Sequence, residues 1–194
     1  MLGLKIPTDI RWAQLAETDL EALLSDHAWC EQKAATNAIS TIVRYPQETT
    51  LVEALTAIAQ EELAHFGQVL EKLRGRDLTL RHEQKDDYVG ELARFIRQGG
   101  SRKQQLVDRL LFSAMIEARS CERFKMLSEK LEDPDLRQFY WDLMVSEAHH
   151  YKTFISLARD HAGPDIDVDG RWQEFLAHEA EVIQRFGQSS TIHG

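Results

Sequence analysis

EELAHF (residues 61–66) and SEAHHY (residues 146–151) stand 85 positions apart, and each carries a glutamate and a histidine three residues apart. On a helix that spacing puts Glu62 and His65, and likewise Glu147 and His150, one turn apart on the same face. The remainder of each face is apolar. Leu51, Leu55, Ile58, Glu62, His65 and Val69 are matched by Leu136, Tyr140, Leu143, Glu147, His150 and Phe154, every pair at the same offset of 85. Such a match implies an internal duplication of one helical hairpin. A carboxylate inside an apolar stripe costs several kcal/mol unless something compensates its charge, so the stripe demands a partner.

Hairpin geometry supplies further acids, because residues equidistant from an antiparallel turn lie at the same height. Glu31 is symmetric with Glu62 about the Pro46-Gln47 turn and continues the stripe Leu20, Leu24, His27, Glu31, Ala35, Ala38, Ile42. Glu117 is symmetric with Glu147 about Glu132 and continues Leu106, Leu110, Ala114, Glu117, Cys121, Phe124. Glu122 is the rival on that helix, less symmetric and off the stripe. The candidate metal ligands are therefore Glu31, Glu62, His65, Glu117, Glu147 and His150. One Glu from each of two helices plus Glu-x-x-His from each of the other two is the di-iron or di-manganese carboxylate arrangement, in which four carboxylates balance two divalent cations. A single buried Glu-His pair is usually only a structural hydrogen bond, but four buried carboxylates without cations would be prohibitive. His27, His149 and His161 read as structural or exposed, Trp141 and Tyr151 as packing, and Cys30 and Cys121 as small core residues.

Capping signals frame these stripes. Thr18-Asp19-Leu20-Glu21 and Thr50-Leu51-Val52-Glu53 read as capping boxes, Ser101-Arg102-Lys103-Gln104 as a third, and Asp133-Pro134 as an N-cap followed by proline. The expected helices are about 18–44, 50–75, 101–131 and 133–162. A short helix over Asp86 to Gln98 lies in the crossover 76–100, a C-terminal helix covers about 169–186, and the last eight residues form a frayed tail. Two hairpins joined by one long crossover give an all-α, ferritin-like four-helix bundle, with residues 1–194 as a single domain.

The bulk composition agrees with a helical globular protein: 43% hydrophobic and 28% charged, with only four prolines in 194 residues. Two cysteines without CxxC spacing point to a reducing compartment, and no apolar run approaches a membrane span. A net charge of −9 excludes indiscriminate nucleic-acid binding but leaves room for a local basic site. Lys72, Arg74, Arg76, Arg81, Lys85, Arg94, Arg97, Arg102 and Lys103 crowd the crossover. By charge alone this reads as a solvated, salt-bridged connection.

HAWCEQKAA (27–35), AQEELAHF (59–66), LLFSAMIEARSCERF (110–124) and SEAHHYKTF (146–154) resemble the MiaE family, the tRNA 2-methylthio-N6-isopentenyladenosine hydroxylases, over about Trp12 to Ala162. The resemblance implies a cytoplasmic non-haem di-iron monooxygenase, with its two iron ions on the six residues named above. It would hydroxylate the isopentenyl group of the adenosine next to the tRNA anticodon, using dioxygen and two electrons. No flavin, haem or iron–sulfur motif is present, so the electrons require an external donor, a reductase or ferredoxin-type protein. The resemblance also turns the basic crossover into a candidate tRNA contact, through Arg74, Arg76 and Arg97. A rubrerythrin-like peroxidase, a manganese catalase and a ferritin-like iron-binding protein share the ligand pattern and remain alternatives.

Overall fold

The computed structural model describes residues 2–186 and 191–193. Among them are seven helices and no strand: α1 (Arg11–Glu17), α2 (Leu20–Arg44), α3 (Thr49–Arg74), α4 (Asp87–Ala93), α5 (Arg102–Lys130), α6 (Pro134–His161) and α7 (Val168–Phe186). No described helix is long and apolar enough to cross a membrane. The contacts divide the chain into two compact units, one over residues 15–85 with 191–192, the other over the N-terminal segment through Gln14 with residues 86–186 and 193.

In the first unit α2 packs against α3 as a helical hairpin. Its apolar stripe is buried as the periodicity requires: Leu51, Leu55 and Val69 have no exposed surface, and Leu24, Ala28, Ala35 and Ala38 face them from α2. Truncating one such leucine to alanine costs about 2–5 kcal/mol, through lost transfer energy and the cavity left behind. Both expected capping boxes here are corrected. The N-cap of α2 is Asp19, which accepts from the Ala22 N–H. Thr18 turns back to the Leu15 carbonyl, and Glu21 accepts from the Thr79 N–H at 2.9 Å. Helix α3 begins at Thr49 behind Glu48, which makes no side-chain cap bond. At its far end Gly75 keeps a right-handed conformation, and the chain turns two residues later at Asp77, φ 56°. Aspartate is among the few non-glycine residues that accept the left-handed region at modest cost. Beyond that turn an extended strap runs along α2. Thr79 bonds Glu21, the Arg81 N–H bonds Ser25, Trp29 Nε1 bonds the Arg81 carbonyl, and Lys33 pairs with Glu83. Holding positions four apart on α2 thus grip the strap along one helix face.

In the second unit α5 packs against α6, and α7 covers α4 and α5. The sequence signals are complete at both starts. Ser101 and Gln104 form the reciprocal capping box, and Asp133 accepts from the Asp135 and Leu136 N–H groups with Pro134 in the first turn. Gly100, φ 87°, makes the entry turn; a Cβ there would meet the Gln104 side chain at 2.5 Å. The crossover helix is shorter than expected. It spans Asp87–Ala93 and ends in turns at Arg94 and Phe95, where Phe95 meets α7 edge-to-face with Phe175 and stacked on His178. Helix α1 was not anticipated. Its signal is an aspartate, Asp9, bonded to the Arg11 N–H ahead of Trp12, Ala13 and Ala16, all buried.

The frayed tail expected for the last eight residues is also corrected for 191–193; residues 187–190 and 194 lie outside the described residues. Ile192 is buried, and its N–H donates to Asp26. His193 is buried against the Tyr88 ring and sits 2.9 Å from the Ser120 hydroxyl.

Candidate metal centre

All twelve positions of the repeated stripe are buried, so the two Glu-x-x-His pairs lie where burial of charge must be compensated. In the α2/α3 hairpin, Glu31, Glu62 and His65 each place one ligand atom within 4.8 Å of the others. His65 Nδ1 is 3.5 Å from Glu62 Oε2 and 3.7 Å from Glu31 Oε2. In the α5/α6 hairpin, Glu117, Glu147 and His150 gather in the same way, with His150 Nδ1 3.8 Å from Glu147 Oε2. These spacings are too long for hydrogen bonds. They match donors arranged around a cation: divalent metals take N and O ligands at about 2.0–2.2 Å, which sets neighbouring donors roughly 3–4 Å apart. The donor set therefore fits divalent cations, and its oxygen-rich, thiolate-free chemistry suits iron or manganese.

The surrounding side chains separate ligand candidates from bystanders. Glu122, the rival to Glu117, is occupied elsewhere. Its two oxygens accept from the Thr8 N–H (2.8 Å) and the Thr8 hydroxyl (2.7 Å), and it pairs with Arg119. His149 points to solvent, and His161 bonds the Leu157 carbonyl. Cys121, one turn after Glu117, donates to the Met144 carbonyl. Burial, and then the charge of Glu147, push its thiol up to about 12, and it is not among the side chains that converge with Glu117, Glu147 and His150. His27, read from sequence as structural or exposed, is fully buried with Nε2 2.7 Å from Glu31 Oε1. The signal was its place on the Glu31 stripe, one turn earlier.

A second buried polar cluster had no sequence signal. Arg119, without exposed surface, bonds Glu179 through Nε (3.0 Å), the Ile6 carbonyl (3.0 Å) and Thr8 (3.1 Å), and pairs with Glu122. Tyr88 donates to Glu179 as well, and burial raises its hydroxyl pKa well above the usual value. Arg123 is buried beside it, over the Trp12 ring, and burial and then Arg119 lower its pKa to about 10.

The basic crossover is partly neutralised. Arg81 pairs with Asp19 and Glu21, and Arg94 with Glu91. Arg74 is exposed at the end of α3, Arg76 donates to the Lys72 carbonyl, and Arg97 is 39% exposed with Nη1 3.8 Å from Asp108.

Helical hairpins carrying paired carboxylate–histidine triads define the ferritin-like di-metal class. The solved structure of a Synechococcus protein described as having aldehyde deformylating oxygenase activity is similar in fold, with a TM-score of 0.87 and 37% identity over 93% of this chain and 88% of that one. Within that class the chain belongs to the MiaE family: the family's sequence model, tRNA-(MS2IO6A)-hydroxylase (MiaE), matches residues 2–194. Two curated relatives are named tRNA 2-(methylsulfanyl)-N(6)-isopentenyladenosine(37) hydroxylase. The one from Pseudomonas putida is 38% identical over 96% of this chain and 89% of its own length. The one from Salmonella typhimurium is 28% identical over 93% and 83%.

Proposed function

We propose that this protein hydroxylates the isopentenyl group of 2-methylthio-N6-isopentenyladenosine in tRNA, as a single domain over residues 1–194. Glu31, Glu62, His65, Glu117, Glu147 and His150 would together hold two iron ions. The observation that carries this reading is the family match along the whole chain, joined to two buried triads of the same chemistry. Iron, when bound, supplies the redox chemistry with dioxygen. One oxygen atom enters a C–H bond, and the other leaves as water with two protons and two electrons from an external reductase or ferredoxin-type donor.

The chain's own part is charge balance, positioning and dryness. Four glutamates offset four cationic charges, and two imidazoles fix the nitrogen donors. The apolar residues above and below each triad exclude water, which strengthens every electrostatic interaction inside. An anticodon-loop base can be splayed into a pocket without opening a duplex. Arg74, Arg76 and Arg97 would take phosphates while the base enters, and such a substrate places the protein in the cytoplasm.

The Synechococcus likeness favours a second reading, an oxygenase that deformylates aldehydes. One experiment separates the two. The iron-loaded, reduced protein is incubated under air with tRNA from cells lacking the hydroxylated base and, separately, with a long-chain aldehyde. A single added oxygen on the tRNA nucleoside by mass spectrometry supports the tRNA reading. Alkane and formate with unmodified tRNA would replace it with the second.

A further inference from the structure

We infer that His27 is a positioning residue for the metal centre, one that presents Glu31 to the metal through a single oxygen. The inference rests on the reading that the buried triads hold metal. His27 is fully buried on α2, in a stretch where Leu23, Leu24 and Ala28 are buried as well. It stands one turn before Glu31, with Nε2 2.7 Å from Glu31 Oε1. The other oxygen, Oε2, faces His65 Nδ1 at 3.7 Å, beside Glu62 Oε2 at 3.5 Å from the same nitrogen. The two oxygens of one carboxylate thus have different work. Oε1 accepts from the imidazole, and Oε2 points where the donors converge.

At the matching place in the other hairpin, one turn before Glu117, the residue is Ser113, a hydroxyl in place of an imidazole. A carboxylate with one oxygen occupied by a buried imidazole is held to terminal, one-oxygen ligation. Partners that orient a ligand in this way typically change metal affinity by roughly 10–100-fold when removed. His27 therefore stiffens the Glu31 carboxylate toward the metal it would hold.

The test compares two amides of nearly equal polarity. In His27→Gln the side-chain nitrogen falls near the place of Nε2 and reaches Glu31; in His27→Asn it falls near Nδ1 and does not. Full-length wild type and both variants, stripped of metal, are titrated with Co(II) without oxygen. The readouts are visible absorption for ligand geometry and competition with a chelator for affinity. Wild type should bind Co(II). His27→Gln should stay within about threefold of its affinity with the same absorption bands. His27→Asn should lose roughly 10–100-fold in affinity, with altered bands. Equal behaviour of the Gln and Asn variants, in affinity and spectrum, would overturn the role of His27. Wild type that binds no divalent metal would instead overturn the metal reading itself. Thermal melts of the metal-free proteins run alongside; a variant lost to misfolding is replaced by His27→Phe, judged by the same two readouts.

Discussion

Removing one carboxylate from the centre should stabilise the metal-free protein while abolishing its response to metal. Glu31 and Glu62 are 4% and 1% exposed, and their facing oxygens lie within 4.8 Å. Two full negative charges at that separation repel by about 3.5 kcal/mol at an effective dielectric of about 20. Glu62→Gln, which keeps the shape and removes one of the two charges, should gain about 1–3 kcal/mol. In a chain of this size that is roughly 2–12 °C in Tm. Metal reverses the order. A cation at a thousand times its Kd adds about 4 kcal/mol to wild type by mass action and should add little to the variant. The assay is a pair of thermal melts per protein, one with chelator and one with excess Fe(II) or Co(II) under nitrogen. If metal-free Glu62→Gln melts below metal-free wild type, Glu62 is held by protein partners as a structural group, and the reasoning that reserves it for a cation fails.

Three other outcomes are expected. Glu179→Leu leaves the buried Arg119 guanidinium short of its main partner and should cost about 3–5 kcal/mol in urea unfolding, while Arg119→Met with Glu179→Leu should recover most of it; equal losses would show that packing, not charge, is the issue. Cys121, held near 12 against an ordinary 9.0, is roughly a thousandfold less ionised at pH 8. Iodoacetamide should therefore label it at least that much more slowly than a free thiol in a Cys30→Ser background, and labelling at the ordinary rate would contradict the burial. Replacing Arg74, Arg76 and Arg97 by Gln together should weaken tRNA binding, lower the log–log salt slope by about two to three, and leave iron content unchanged; an unchanged slope would remove these residues from the interface.

The framework was legible because its signals are local. Helical periodicity, the Ser101 box and Asp133-Pro134 each act within a turn or two, and the 85-residue offset exposes the duplication before any fold is known. The argument that selected Glu117 over Glu122 used distance from a turn and place on the apolar stripe, and in the structure Glu117 lies with Glu147 and His150. What occupies Glu122 could not be read, since Thr8 is 114 residues away in the chain. The same holds for Arg119, whose partners come from the N-terminal segment and from α7. The misread cap of α2 has a non-local cause. Glu21 looked like the far half of a capping box, but the strap after α3 offers it the Thr79 N–H and the Arg81 guanidinium, and a distant partner won over the local one.

Those distant partners bear on the candidate ligand set through the rotation of α5. Glu117 and Arg119 are two residues apart, about 200° around the helix, so they face nearly opposite directions. On one side Glu117 lies with Glu147 and His150 of α6; on the other Arg119 is tied to Glu179 of α7 and, with Glu122, to Thr8. Turning α5 enough to bring Glu122 toward α6 would strip Arg119 of these contacts inside an apolar surround, at a cost of several kcal/mol. The ion network thus selects which glutamate of α5 faces α6. A side chain proposed to hold a metal must be placed within about half an ångström, and the buried guanidinium on the far face of the helix supplies that rigidity to Glu117 without touching it.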